Sequence, residues 1–200
     1  MKAGIIGTGH GLRVLFHAFH LSKIEVHGIS ANNYENLEKI KNKFSIAKAY
    51  SHWLQLVSDK NITVVAIAVP PKYQSKIIEE CIKNKKKIFS EKPLSIKYLE
   101  SKRILNQLKN YNQHFIMDYI FPEHQLFKKY HSFTKNIKGK NNFVEILFYN
   151  KSYVIKNNIK NWKTRNSLGG GIINLYLPHI IDYVIMFFGE IKKIEVINKN

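Results

Sequence analysis

The chain has 200 residues, 44% of them apolar and 12% aromatic, which suffices for one good core or for one domain and part of another and excludes a disordered chain. Its net charge of +18 raises nucleic acid or an acidic membrane surface as partners. Specific nucleic-acid binding is disfavoured, because 29 of the 32 basic residues are scattered lysines, whereas readers of phosphates and base edges use the arginine fork.

Strand and helix alternate through the first half. Lys2–Gly7 reads as a short apolar strand, and no signal peptide is expected ahead of it. Leu12–Leu21 reads as a helix, Glu25–Ser30 as a second strand, and Tyr34 to Phe44 as a helix. A short strand follows near Lys48–Tyr50, and His52–Val57 is helical. Asn61–Val69 contains Val64-Val65-Ala66-Ile67-Ala68-Val69, the continuous apolar run of a strand buried on both faces, and Pro70-Pro71 stops it. Tyr73–Lys83 is helical and holds the lone cysteine, Cys81, as a buried thiol; one cysteine excludes a disulfide framework or a cysteine zinc site within one chain. Asn84 is expected as a left-handed cap. The one tight lysine run, Lys85-Lys86-Lys87, is placed on a loop. Lys87–Phe89 is the next strand, Ile96 to Lys109 a helix, and His114–Tyr119 a sixth strand. This rhythm predicts an α/β fold with a doubly wound parallel sheet of Rossmann type over residues 1–120.

Residues 121–200 change pattern and predict an incomplete α+β domain. Glu123–Phe133 reads as a helix, Asn142–Tyr149 as a strand, and Ser152–Ser167 as irregular chain. Gly169-Gly170-Gly171 opens an apolar helix to Phe188, Gly189 caps it, and Ile191–Val196 is a last strand. Asn174, Pro178, His179 and Asp182 interrupt that helix, so it is expected buried in protein and not spanning a membrane. A soluble, cytoplasmic protein is expected.

Two segments carry chemistry by position alone. Gly7-Thr8-Gly9-His10-Gly11-Leu12-Arg13 lies at the first strand-to-helix turn, where glycine lets a pyrophosphate approach backbone N–H groups. The dinucleotide fingerprint asks for Gly or Ala at position 12; here Leu12 stands there, with Gly11 one place earlier. Ser90-Glu91-Lys92-Pro93 puts an ammonium group at the carboxyl end of a parallel strand, where open α/β sheets bind ligands, although an exposed Lys-Pro turn is the plain alternative. Past the second strand, Ser30-Ala31-Asn32-Asn33 offers neither the carboxylate that favours NAD nor a basic residue for the NADP phosphate. Small polar residues suit either ribose, and the missing carboxylate slightly favours NADP. Histidines 17, 20, 27, 52, 114, 124 and 131 lack metal-ligand spacing, and no metal is expected.

Gly7-x-Gly9, Val69-Pro70-Pro71 with Gln74, Ser90-Glu91-Lys92-Pro93, Gly169-Gly170-Gly171 and His179-x-x-Asp182 occur in the order and spacing of the Gfo/Idh/MocA oxidoreductases, which the whole chain resembles. The resemblance implies a Rossmann domain followed by an α/β domain with a large, mostly antiparallel sheet. It implies reversible hydride transfer between NAD or NADP and a sugar- or cyclitol-like alcohol or carbonyl. It makes Lys92 and His179 the catalytic residues, Lys92 orienting nicotinamide and substrate and His179 acting as general base. Read alone, His179 is a hydrogen-bonded core histidine. The implied cofactor contacts are Gly7, Thr8, Gly9, His10, Leu12, Arg13, Ser30, Asn32, Val69, Pro70, Gln74, Glu91, Lys92 and Trp162. Arg165 falls in the same region as Trp162, and Asp182 resembles the family's structural aspartate.

Two departures qualify this. The family's catalytic aspartate stands four residues before the histidine, where this chain has Leu175. Family members also continue well past position 200, so the sequence reads as a short form or a fragment. The alternative function is therefore a catalytically impaired nucleotide-binding remnant or partner subunit. A small-molecule substrate is the expected partner, with a homo-oligomer built through the C-terminal sheet.

Overall fold

The computed structural model describes residues 1–32, 34–134, 143, 145–147, 149 and 152–197. Six parallel strands form one sheet in the order β3-β2-β1-β4-β5-β6: β1 Lys2–Ile6, β2 Glu25–Ser30, β3 Lys48–Tyr50, β4 Val64–Ile67, β5 Lys87–Ser90 and β6 Phe115–Met117. Each connection carries helix: α1 Phe16–Leu21, α2 Tyr34–Lys43, α3 Trp53–Ser58, α4 Pro71–Lys83 and α5 Tyr98–Lys109. This is the predicted doubly wound α/β fold.

The pleat of the two central strands divides the core. Ile5 and Ala66 face one side, where Leu12, Leu15, Ile29 and Leu37 pack on them. Ile6, Val65 and Ile67 face the other, against Leu56, Ile77, Ile78 and Ile104 from α3, α4 and α5. All four residues of β4 are buried, as a strand covered by helices on both faces requires. Cys81 is buried in the second cluster, where burial pushes its thiol well up from its ordinary range.

Three local expectations need correction. The helix after the apolar strand begins at Pro71, not Tyr73: proline fits a first helical position, whose N–H has no partner to lose. Asn84 is not left-handed. Its side-chain Nδ2 donates to the Glu80 carbonyl at 2.9 Å and closes the helix, while Lys85 takes the positive φ of 54°. The lysine run lies on the expected loop only at Lys85 and Lys86, since Lys87 starts β5, and within that loop Lys86 is only 7% exposed. The Lys86 ammonium donates to the carbonyls of Asp59 (2.7 Å) and Ile62 (2.6 Å), and burial lowers its pKa.

In the second half, α6 (Gln125–Thr134) lies against α8 (Ile172–Phe188), with a short α7 (Tyr153–Lys156) between them in sequence. Phe121, Phe127, Tyr183 and Phe187 form the aromatic contact between these helices, with Phe127 and Tyr183 centroids 4.9 Å apart. The expected buried helix is half-exposed: no described residue of α8 is buried, and among the described elements α6 is the one that packs most on it. The strand expected at Ile191–Val196 is not formed, residues 191–197 having no strand partner among the described residues. The strand expected at Asn142–Tyr149 falls partly outside the described residues, and those of its residues that are described (143, 145–147 and 149) form no strand. No described helix is long and apolar enough to cross a membrane.

One polar knot braces the β3 edge. Asp59 Oδ2 accepts from Tyr50 Oη (2.6 Å) and Lys48 Nζ (2.9 Å), and Oδ1 accepts from Asn61 N (2.8 Å). These donors, Tyr50 foremost, hold the carboxyl well below the usual range. A depressed folded pKa contributes stability above the ordinary carboxylate value and loses it as pH falls. Asp59→Asn is therefore expected to cost about 1–3 kcal/mol in urea unfolding at pH 7, a difference that shrinks toward zero below about pH 4. A pH-independent difference would show that charge is not the cause.

Candidate functional site

The strand order reverses between β1 and β4, so connections leave in opposite directions and open a crevice over the strand ends. Gly7 turns the chain out of β1 at φ +108°, and a Cβ there would lie 2.2 Å from the Ala68 carbonyl oxygen. Gly9 has the opposite surroundings: a Cβ on it would meet nothing within 4 Å, so its backbone faces open space. The close helix-to-strand contact falls on Gly11, whose added Cβ would sit 2.6 Å from Ile5 Cγ2. The helix opens with a π-helical turn, Gly11–Leu15, and Leu12 packs into the core. The displaced third glycine thus has a structural account, and Leu12, an expected contact, does not line the crevice.

A cavity of about 550 Å³ fills the crevice. Gly7, Thr8, Gly9, His10 and Arg13 form one wall, Ser30 and Asn32 a second, and Val69, Pro70 and Trp162 a third. Ser51, His52, Trp53, Tyr73 and Lys163 also line it and escaped the sequence reading. For the first three the available signal was their place just past the end of β3, on the ligand edge of the sheet. No carboxylate among the described residues lines this cavity, whereas Arg13, His52 and Lys163 do.

A smaller cavity of about 210 Å³ adjoins it through shared walls at His10, Val69, Trp162 and Lys163. Gln74, Glu91, Lys92 and His179 line it, and so do Asp118 and Leu175. All expected site residues except Leu12 border one of the two cavities. Arg165 and Asp182 border neither.

Local structure sets each of these side chains. Gln74 ties two strand exits together, its Nε2 donating to the Val69 carbonyl at 3.2 Å and its Oε1 accepting from Ser90 Oγ at 3.3 Å. Glu91 N donates to the Ile67 carbonyl at 2.9 Å, which points Lys92 out of the sheet edge. The Lys92 ammonium donates to the backbone carbonyl of Leu175 in α8. Burial lowers its pKa and Lys163 adds to this, while Glu91 and Asp118 oppose. The triple glycine presses the 162–165 turn over both cavities. A Cβ at Gly170 would lie 2.4 Å from the Trp162 carbonyl oxygen, and Gly171 N donates to the Lys163 carbonyl at 2.8 Å.

His179 stands edge-on to Phe121 (5.0 Å) and Tyr119 (5.9 Å), and its Nδ1 is buried without a hydrogen-bond partner among the described residues. Burial first and Lys92 second lower its pKa to about 4, so the ring is uncharged at neutral pH and able to accept a proton. His10 is its opposite. Its Nε2 lies 2.9 Å from Glu91 Oε1 and 3.8 Å from Asp118 Oδ2, as charge contacts with no aligned hydrogen bond at that nitrogen. Asp118 and then Glu91 raise it to about 9 against the effect of burial. The protonated ring is itself the cation between two carboxylates.

The fold and the crevice are those of a Rossmann-type dinucleotide-binding protein. A profile described as "Oxidoreductase family, NAD-binding Rossmann fold" matches residues 1–119, and the chain belongs to the Gfo/Idh/MocA oxidoreductase family. A myo-inositol 2-dehydrogenase from Thermotoga maritima is 30% identical over 112 residues, which are 54% of this chain and 33% of that protein. An uncharacterized oxidoreductase from Synechocystis is 21% identical over 94% of this chain and 52% of its own length. In structure, a levoglucosan dehydrogenase solved with NADH and levoglucosan matches with TM-score 0.81 and 21% identity, covering 95% of this chain and 54% of that one. A Desulfitobacterium hafniense protein described as a putative NADPH-dependent oxidoreductase matches with TM-score 0.80 and 22% identity over 94% of this chain and 55% of that one. The chain spans about half the length of most of these relatives and a third of the inositol dehydrogenase.

The His10 contact has a signed consequence. A folded pKa of about 9 against the ordinary 6.5 contributes stability that is complete below pH 6.5 and lost as pH rises through about 9. The thermal midpoint is expected to fall over that window more steeply in the unaltered chain than in His10→Gln. Parallel declines would show that the carboxylates do not hold the ring charged.

Proposed function

We propose that this chain is an NAD(P)-dependent oxidoreductase that moves a hydride to or from a sugar- or cyclitol-like alcohol or carbonyl, with NADP favoured over NAD. The observation that carries this is the meeting of Lys92, from the end of β5, and His179, from α8, on the walls of one small cavity joined to the crevice. The crevice suits a dinucleotide: Gly9 leaves its backbone open, Ser30 and Asn32 stand where a ribose is read, and basic groups without a carboxylate suit phosphates. A bound nicotinamide supplies the hydride acceptor or donor. His179, uncharged, takes the hydroxyl proton as the alcohol carbon is oxidised, and returns it in the reverse direction. Lys92 moves its hydrogen bond from the Leu175 carbonyl to the substrate oxygen and stabilises the charge growing there. Residues 1–120 form the dinucleotide-binding unit, and 121–200 supply α8 and the 162–165 turn. The same reading has the protein acting in the cytoplasm and associating through its second half, where Leu126, Phe133, Leu177 and Ile185 are exposed.

A second reading, an impaired nucleotide-binding remnant or partner subunit, is favoured by Leu175, which leaves α8 without a carboxylate one turn before His179. Fluorescence titration with NADPH and NADH tests both, since binding of neither would sink both. NADPH is expected to bind about tenfold more tightly, a margin that narrows in Arg13→Ala; equal or tighter NADH binding would overturn the NADP preference. Turnover against sugars and cyclitols that falls at least ~100-fold in both Lys92→Ala and His179→Ala supports catalysis. Binding without turnover on any substrate supports the second reading.

A further inference from the structure

We propose that Asp118, at the exit of β6, is the positioning carboxylate of this site, coupling His179, Lys92 and His10 in the place of a carboxylate on α8. The inference rests on the oxidoreductase reading for its catalytic meaning. The α8 residue one turn before His179 is Leu175, and only its carbonyl joins the cavity's hydrogen bonding, as the acceptor of Lys92. Asp118 borders the same cavity from the opposite element, its side chain only 11% exposed. Two contacts fix it there. Its backbone N donates to the Ser90 carbonyl at 2.8 Å, and the next residue, Tyr119, stacks edge-on against the His179 ring.

The charges around His179 single out Asp118. Lys92, Lys163 and the charged His10 ring are the cations on the cavity wall; Glu91 and Asp118 are its carboxylates. Asp182 lies on the same helix, and Tyr119 and Tyr183 are the neighbouring phenols. Of these groups, Asp118 alone favours the protonated form of all three of His10, Lys92 and His179, whereas Glu91 acts on His10 and Lys92 only. A carboxylate in that position stabilises His179 as it becomes an imidazolium and keeps Lys92 charged in a desolvated cavity. The His10 imidazolium in turn balances the carboxylate and links it to the glycine turn. The sequence gives no sign of this, because Asp118 and His179 sit far apart in the chain on unrelated elements.

NMR titration of the imidazole signals in the full chain separates the possibilities. In Asp118→Asn the His179 midpoint is expected to fall from about 4 by about half a unit or more, and in Glu91→Gln it is expected to stay. The His10 midpoint is expected to fall in both. A His179 midpoint unmoved by Asp118→Asn, or moved equally by Glu91→Gln, overturns the proposal. Asp118→Ser repeats the test with a smaller side chain should the asparagine variant fail to fold, and Asp118→Glu is expected to restore the midpoint. In turnover, Asp118→Asn is expected to lower kcat about tenfold at neutral pH and shift the acid limb of the kcat/KM profile downward. Failure of NADPH to bind the unaltered chain would remove the oxidoreductase reading and leave the titration result standing.

Discussion

The approach of β1 to β4 at Gly7 and Ala68 is the constraint on which the rest of the structure depends. Ala68 N donates to the Ile6 carbonyl and Gly7 N to the Ser30 carbonyl, each at 2.8 Å, so three strand exits are drawn to one point. Only a residue without a Cβ turns away at that distance from a backbone oxygen. Because the connections then diverge, the crevice is a product of strand order. The apolar faces of β1 and β4 hold that order, since each strand is covered on both sides and a slip of one residue would exchange the two halves of the core.

Beyond the crevice the protein places charges where solvent cannot screen them well. Burial works against Lys92 and His179 in the same sense, disfavouring the charged form of each; the Lys92 charge reinforces this at His179, and the Lys163 charge does so at Lys92. The result is an uncharged imidazole beside an ammonium that has a backbone carbonyl for a partner. His10 has the reverse balance, with two carboxylates outweighing burial. Two histidines bordering one cavity therefore differ in charge at neutral pH, because two carboxylates outweigh burial at His10 whereas burial and the Lys92 charge prevail at His179.

The second half is built differently. Its helices meet through aromatic rings around α6 and α8, and the triple glycine brings the 162–165 turn close enough for Trp162 and Lys163 to roof both cavities. Here glycine serves close backbone packing as well as turning, which is why three in a row precede a long helix. The helix itself keeps an exposed apolar side, as at Ile172, Ile173 and Ile185, the feature behind the association included in the proposed function.

Much of this was legible in the amino-acid sequence. The run from Val64 to Val69, the glycine turn after β1 and the Glu-Lys-Pro after β5 specify a parallel sheet and its ligand edge, because burial on both faces and tight strand exits are written in residue types. The strand expected at Ile191–Val196 and the burial expected for α8 were not formed as read, since β propensity and hydrophobicity require a packing partner to be realised. His52 and Asp118 stand just past strand ends, but nothing local distinguishes a polar residue there from one in any other turn, and Lys163, in the turn before the triple glycine, carried no signal. Local chemistry determined the elements and the family. Tertiary structure decided which charges face one another, because the distances between β1, β5, β6 and α8 arise only when the sheet is assembled.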